Sequence, residues 1–199
     1  MTTEAVVRGA PRQKLLAAPK QAPNLFDEFW VPRSNERADI ALVSREMNGY
    51  EIKTDRDTLR RLPRQAPAYG RVFDRCTAVV ASRHSSAVID MLPEWWGIVE
   101  ISVNGTVGFT VTRGARANPE VDPETLVRLL WRDEAFIALV RLGAEPSPRS
   151  TRSTLWTELL RLADLAQLRA AVRRALRHRA SNPSPSRFMP LLTDGRAGR

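Results

Sequence analysis

The sequence predicts an α/β fold, of the mixed-sheet α+β kind, in which strands and helices share one core. Short apolar runs of strand length alternate with longer segments whose apolar residues recur at helical spacing. The pair Asn104-Gly105 lies between two alternating runs, which is typical of a β-hairpin. Asp122 followed by Pro123 marks the beginning of a helix, because aspartate caps a helix N-terminus and proline fits its first turn.

Six strands are predicted from these runs, each bounded by polar or turn residues. In chain order they are LFDEFWV, ADIALVS, GYEIKT, CTAVVA, IVEISV and TVGFTVT. The second and third are joined through REMNG, which predicts that they pair as a hairpin. CTAVVA is uniformly apolar or small, as expected of a strand that is buried on both faces.

Helices are predicted between and after the strands. Asp57 is the expected N-cap of a helix that its two prolines, at positions 63 and 67, should break. HSSAVIDML is a short predicted helix, and a longer one should extend from Asp122 towards Gly143. Two further helical stretches, LWTELLRL and LAQLRAAVRRALRHR, follow a segment rich in serine and proline.

Composition places the boundaries between these parts. We predict a flexible segment over residues 1–24, a folded domain over 25–143, a linker over 144–153, a basic helical extension over 154–180 and a disordered tail over 181–199. The sequence shows no internal repeat.

The net charge of +9 is concentrated near the C-terminus. Up to Val140 there are 19 Lys/Arg against 18 Asp/Glu, whereas from Arg141 onwards there are 12 against 4. Nearly all of these cations are arginine, whose forked donors suit phosphate groups. The charge therefore favours nucleic acid as a partner, although an ordinary solvated surface is the alternative.

Two classes of protein are not expected. No apolar run approaches the roughly 20 residues that cross a bilayer, and the N-terminus lacks the apolar core of a secretory signal. Cys76 is the single cysteine, so neither an internal disulfide nor a cysteine metal site is expected. We therefore predict a cytoplasmic protein without membrane partners.

Asp39, Glu51 and Lys53 are the candidate catalytic residues. Strand alternation puts Glu51 and Lys53 on one face, and hairpin pairing would bring Asp39 beside Glu51. Two neighbouring carboxylates repel each other unless a cation lies between them, and hard oxygen ligands favour Mg²⁺ or Mn²⁺. A lysine on the same face would help to activate a metal-bound water or stabilise transition-state charge, as phosphodiester hydrolysis requires. The alternative is an exposed Glu-x-Lys ion pair of little energetic weight.

The order of these elements resembles the PD-(D/E)XK nuclease superfamily. Asp39 matches its first acid, Glu51 and Lys53 match its ExK element, and Ala38 stands in place of its proline. Gln65 and Tyr69 resemble the QxxxY element of the RecB-like branch. From Leu25 to His178, the run RADIALV…GYEIKTDRDTLRRLPRQ…PEWWG is most similar to a small family of bacterial nuclease-like proteins, the sce-type family.

This resemblance implies a restriction-endonuclease-like core with a C-terminal helical extension, acting as a magnesium-dependent deoxyribonuclease in DNA repair, recombination or defence. Asp39 and Glu51 would bind Mg²⁺ or Mn²⁺, Lys53 would assist the attacking water, and Gln65 would face the active site. Superfamily members often add a further acid, for which Glu28 is the candidate and Glu36 the reserve. The alternative is a catalytically inactive nucleic-acid-binding or adaptor protein with the same fold.

The expected partner is DNA. The residues assigned to contact it are Tyr69, Arg60, Arg64, Arg169, Arg173 and Arg177. The last three recur at four-residue spacing along one helix, where a DNA-docking module and a helical cap with a solvated face are the two interpretations. The sequence leaves the oligomeric state open, with a homodimer among the alternatives.

Overall fold

The fold is built on one mixed sheet whose strands lie side by side in chain order. A computed structural model describes residues 24–104 and 106–182, together with Gly9. The strands are β1 (Asn24–Trp30), β2 (Arg37–Val43), β3 (Met47–Lys53), β4 (Arg75–Ala81), β5 (Gly97–Asn104) and β6 (Thr106–Arg113). The helices within the described residues are α1 (Leu62–Gly70), α2 (Ser85–Met91), α3 (Pro123–Leu126), α4 (Arg132–Arg141), α5 (Arg152–Leu162) and α6 (Leu165–Ser181).

The pairing of the strands divides the sheet into antiparallel edges and a parallel centre. β1, β2 and β3 are antiparallel, β4 runs parallel to β3 and to β5, and β6 returns antiparallel to β5. Both predicted hairpins are confirmed as strand pairs, with Val43 opposite Met47 and Asn104 opposite Thr106. Gly105, the second residue of the predicted turn, lies outside the described residues. The predicted mixed α/β class is confirmed.

The two faces of the sheet have separate apolar clusters. All six helices contribute side chains to the larger cluster, so we call this side the helical face. The opposite side, here called the second face, is centred on four buried residues, Ile40, Ile52, Val79 and Ile101. Because side chains alternate along a strand, Glu51 and Lys53 point to the helical face and Ile52 to the second face.

The C-terminal helices pack into the same core as the sheet. Their buried residues in the larger cluster include Leu155, Leu159, Leu168, Val172 and Leu176. The extension predicted over residues 154–180 therefore forms a helical cap on the domain. Of the predicted N-terminal segment, Asn24 already belongs to β1. Apart from Gly9, its remaining residues lie outside the described residues, as does the predicted tail beyond Asn182.

The predicted beginning of the helix after β3 is wrong. α1 begins at Leu62 rather than directly after Asp57. The Asp57 carboxylate instead accepts hydrogen bonds from the amide and hydroxyl of Thr54, at 2.8 and 2.7 Å. Pro63 occupies the first turn, where a missing amide hydrogen costs nothing, and Pro67 lies inside the helix without ending it.

The long helix predicted from Asp122 towards Gly143 is also divided. Its cap is confirmed, because the Asp122 carboxylate accepts from the amides of Glu124 and Thr125. However, α3 gives way to a 3₁₀ turn and then to extended backbone at Leu130. α4 restarts where the Glu134 carboxylate accepts the amide of Trp131 at 2.7 Å, satisfying a donor at the new helix end.

Tight packing between Gly49 and the Phe73 ring gives a first testable prediction. A Cβ added at Gly49 would lie 2.6 Å from the ring, whereas one added at Gly114 would meet nothing within 4 Å. We expect Gly49→Ala to lower the free energy of unfolding by about 1–3 kcal/mol, because the core must shift to admit the methyl group. Urea unfolding measures the difference. Gly114→Ala is the control, and equal stability of the two variants would contradict this packing.

Candidate active site

The candidate site lies where β2 and β3 separate. The pairing of β2 with β3 ends at Ile40 and Tyr50, and Asp39 and Glu51 are the next residues on the two strands. The Asp39 carboxylate accepts the main-chain amide of Ile52 at 2.6 Å. The Asp39 side chain thus accepts a hydrogen bond from β3 just beyond the last paired residues. The two strands bring the carboxylates of Asp39 and Glu51 together.

Glu51 is the centre of a buried polar cluster that also contains Lys53, Gln65 and Tyr69. Its side chain is almost entirely enclosed, with 2% of the residue exposed. One carboxylate oxygen accepts from the Lys53 ammonium at 2.6 Å and the Gln65 amide at 2.7 Å. The other accepts from the Tyr69 hydroxyl at 2.5 Å. The Gln65 carbonyl oxygen also accepts from Lys53 at 3.2 Å, so Gln65 connects the acid to the lysine.

Helix α1 supplies two members of this cluster from one face. Gln65 and Tyr69 are four residues apart, so both project from the same side of the helix towards β3. Tyr69 is fully buried, and its ring stacks on Trp96 with 5.8 Å between the ring centroids. Its hydroxyl also lies 2.6 Å from the main-chain carbonyl of Arg37. A phenol has a single proton, so at any moment Tyr69 donates to Glu51 or to Arg37.

The electrostatics of the cluster depend on burial and on Asp39. Burial is the largest cause that raises the pKa of Glu51, and the negative charge of Asp39 raises it further. Lys53 and the hydrogen bonds from Lys53 and Tyr69 act in the opposite direction. The pKa of Tyr69 is raised by burial and by the charge of Glu51, so the phenol stays protonated as a donor.

Asp39 and Glu51 are the two carboxylates that this site offers to a divalent cation. Repulsion between Asp39 and Glu51 is relieved when a cation lies beside both. Between Asn24 and Asn182, in the described ranges, no group of three or more His, Cys, Asp or Glu residues is placed to hold a metal. Mg²⁺ commonly binds one or two carboxylates and completes its shell with water and phosphate oxygens, which suits such a pair.

Glu28 and Glu36 do not join the two carboxylates in a ligand group among the described residues. Glu28 adopts a left-handed backbone conformation (φ 54°), and its half-exposed side chain forms an ion pair with Arg37. Glu36 is buried, and its carboxylate lies 3.0 Å from the Arg61 guanidinium and 3.7 Å from that of Arg64. The expectation that Glu28 supplies a third metal ligand is therefore not supported by its position.

The residues assigned to contact DNA fall into two groups. Arg60, Arg64 and Arg177 are exposed, so their positions are compatible with that assignment. Tyr69 is enclosed in the core, where nucleic acid cannot reach it in this structure. Arg169 and Arg173 are only partly exposed, and both form ion pairs with Asp74.

Sequence reasoning missed the role of Asp74. Its carboxylate lies 2.9 Å from the guanidinium of Arg169 and 3.6 Å from that of Arg173. It also accepts the amide of Met47, at the beginning of β3, at 2.8 Å. Asp74 thereby connects α6 to the strand that bears Glu51. No local pattern in the sequence links an aspartate before β4 to arginines on the last described helix.

Comparison with known proteins identifies the family. A family model described as Bacteriophage P4 protein cII matches residues 14–191, most of the chain. The chain belongs to this family. Protein cII of Enterobacteria phage P4 is 28% identical over 120 residues, which is 60% of this chain and 46% of that protein. The chain thus spans about half the length of this phage protein. No solved structure matches the chain.

Neither match names the PD-(D/E)XK superfamily. No helix within the described ranges is long and apolar enough to cross a membrane.

The buried pair of Glu51 and Lys53 predicts a pH-dependent loss of stability in Lys53→Met. Without the ammonium, the pKa of Glu51 rises further, because burial and Asp39 then act unopposed by that charge. A carboxyl group with a raised folded-state pKa favours folding at low pH, and this contribution is lost as the pH rises through that pKa. Near neutral pH we expect the variant to lose about 3–5 kcal/mol. As the pH falls towards the raised pKa of Glu51, the loss should shrink.

Urea unfolding at several pH values measures this difference. Arg56→Met is the matched control, because Arg56 is an exposed cation of the same segment. A loss for Lys53→Met that is independent of pH would contradict the electrostatic account of the cluster.

Proposed function

We propose that the protein is a metal-dependent nuclease that hydrolyses DNA phosphodiester bonds. The observation that carries this proposal is the convergence of Asp39, Glu51, Lys53 and Gln65 at the point where β2 and β3 separate. Two carboxylates, a lysine and an amide at one site match the inventory that metal-assisted phosphodiester hydrolysis needs. DNA repair, recombination and defence are the biological settings in which such an activity belongs.

The arrangement of elements supports a restriction-endonuclease-like core of PD-(D/E)XK type. An antiparallel unit of β1, β2 and β3 carries the acids and the lysine. α1 then connects β3 to the parallel strand β4 and contributes Gln65 and Tyr69 to the site. This order of strand unit, helix and strand is the one that the sequence resemblance implies.

Each residue of the site has a separate task in the proposed reaction. Asp39 and Glu51 would hold Mg²⁺ or Mn²⁺, which supplies an acidified water and neutralises phosphate charge. The Lys53 ammonium would orient the attacking water and stabilise negative charge as it develops on the phosphate. Gln65 holds Lys53 and Glu51 in a fixed relation, and Tyr69 fixes the far oxygen of Glu51.

One observation favours the alternative, a nucleic-acid-binding protein that lacks catalysis. Both oxygens of Glu51 accept hydrogen bonds from protein donors, and the residue is 2% exposed. A metal must therefore displace one of those donors before it can bind Glu51. A protein in which that exchange never occurs would bind DNA through its arginines without cutting it.

Cleavage assays on the full chain test the proposal. With Mg²⁺ or Mn²⁺ present, we expect cutting of duplex, single-stranded or branched DNA. Asp39→Asn and Lys53→Met should each reduce the rate by on the order of 100-fold or more, because they remove a ligand and a charge-stabilising group. Asp55→Asn is the matched control, since Asp55 is an exposed acid just beyond β3.

The two candidate functions give different outcomes in the same assay. Equal cleavage by the parent chain and both site variants would rule out this active site. DNA binding without cleavage, together with no increase in thermal stability on adding Mg²⁺, would instead favour the non-catalytic protein. Circular dichroism of each variant tests whether the fold is retained, which matters most for Lys53→Met because of its expected loss of stability.

The exposed arginines around α1 give a prediction about DNA affinity. The side chain of Arg64 is 71% exposed, and Arg60 is exposed just before the helix. Each of Arg60→Ala and Arg64→Ala should weaken binding and reduce the slope of log affinity against log salt by about 1. Arg169→Ala should leave that slope unchanged and lower stability, because Arg169 pairs with Asp74. Fluorescence anisotropy at several salt concentrations measures the slopes, and unchanged slopes for Arg60→Ala and Arg64→Ala would exclude these phosphate contacts.

A further inference from the structure

Arg61 lies where the candidate site meets solvent. The main-chain carbonyl of Arg61 accepts from the amide of Gln65 at 3.0 Å, so Arg61 is one helical turn before Gln65. Residues four apart lie above one another on a helix, and Arg61 thus continues the face that Gln65 and Tyr69 present to Glu51. Exposure increases along this face, because Tyr69 and Gln65 are enclosed whereas the side chain of Arg61 is 56% exposed. A phosphate that approaches Glu51 along this face therefore passes Arg61.

Glu36 holds the guanidinium of Arg61 in this place. Its carboxylate accepts from Arg61 at 3.0 Å and lies 3.7 Å from the guanidinium of Arg64. The main chain of Glu36 is itself fixed in the loop before β2. Its carbonyl accepts from the amide of Val31 at 3.1 Å, and its amide donates to the hydroxyl of Ser34 at 3.2 Å. Arg61 is therefore attached to a formed turn.

The charges of these three side chains do not balance. The single carboxylate of Glu36 faces two guanidinium groups, which leaves one positive charge in excess. A guanidinium has five N–H donors, and the hydrogen bond to Glu36 uses one, so Arg61 can be held from one side and bind a ligand from the other. Forked donors with an excess of positive charge favour a phosphate oxyanion.

The electrostatics of Arg61 connect it to the candidate site. The hydrogen bond to Glu36 is the largest cause that raises the pKa of Arg61, and the charge of Glu51 raises it further. Arg61 thus lies within electrostatic reach of the carboxylate at the centre of the buried cluster. A ligand bound by Arg61 would be close to the residues assigned to the reaction.

We propose that Arg61, positioned by Glu36, binds the DNA phosphate that the site cleaves. The guanidinium holds a non-bridging oxygen and stabilises the charge that grows on the phosphate as water adds to phosphorus and one deoxyribose oxygen leaves. Arg61 contacts the substrate, whereas Glu36 is a positioning residue that acts through Arg61. That this phosphate is the one being cut rests on the proposed nuclease function, but the contact with phosphate does not.

Single-turnover cleavage by the full chain, at saturating DNA with Mg²⁺ or Mn²⁺, tests the assignment. Arg61→Gln should lower the rate at saturation by on the order of 100-fold, because the reacting phosphate loses a charged donor. Arg61→Lys should restore only part of the rate, because lysine keeps the charge but lacks the fork. Arg71→Gln is the matched control, since Arg71 is an exposed arginine at the opposite end of α1. If Arg61→Gln needs more DNA for saturation yet reaches the parent rate, the proposal is overturned.

Glu36→Gln separates positioning from a purely structural role. Removing the carboxylate charge leaves both arginines in place, so the affinity for DNA should stay the same or rise. The rate at saturation should nevertheless fall by about tenfold or more, because the guanidinium is no longer held in its orientation. A variant that loses stability but keeps the parent rate at saturation would refute the positioning role of Glu36.

The salt dependence of DNA binding tests the phosphate contact even if the parent chain does not cut. Without added metal, Arg61→Gln should lower the slope of log affinity against log salt by about 1, whereas Arg61→Lys and Arg71→Gln should leave it unchanged. Fluorescence anisotropy measures these slopes. A lowered slope combined with no cleavage by the parent chain would refute the nuclease function and retain the phosphate contact. An unchanged slope for Arg61→Gln would overturn the contact whether or not the parent chain cuts DNA.

Discussion

The burial of the Glu51–Lys53 ion pair is the constraint on which the site and its surroundings depend. Charges of opposite sign 2.6 Å apart attract strongly, yet removing both from water costs several kcal/mol for each ion unless other polar groups compensate. Gln65 and Tyr69 provide that compensation, and both belong to one helix. α1 must therefore lie directly over the end of β3, and the parallel crossover to β4 places it there.

A second ionic contact fixes the other end of the same strand. Asp74 accepts the amide of Met47 where β3 begins, and it pairs with Arg169 and Arg173 of α6. The strand is thus held at its beginning by the C-terminal helix and at its end by α1. Two of the arginines that the composition suggested for nucleic acid, Arg169 and Arg173, therefore join the helical cap to the sheet.

Much of the architecture was predictable because it follows from local patterns. Alternating runs and turn residues predicted the strands, and Asp122-Pro123 predicted a helix start that the structure confirms. The beginning of α1 was not predictable from capping rules, because Thr54 competes with a helix end for the carboxylate of Asp57. Within the site, the alternation of side chains along the two paired strands predicted that Asp39 lies beside Glu51. The enclosure of Glu51 and the pairing of Asp74 with α6 depend on contacts between residues distant in sequence, which no local pattern encodes.

The hydroxyl of Tyr69 lies between the enclosed carboxylate of Glu51 and a second acceptor on β2. The hydroxyl oxygen lies within 2.6 Å of two acceptors, the Glu51 carboxylate and the main-chain carbonyl of Arg37. If a cation bound Glu51 as proposed, the hydroxyl could turn to the carbonyl, so this donor would not be left unsatisfied. The hydrogen bond from Tyr69 to Glu51 would then be replaced by one to the carbonyl of Arg37. β2 thus supplies a second acceptor for the donor that a metal would displace from Glu51.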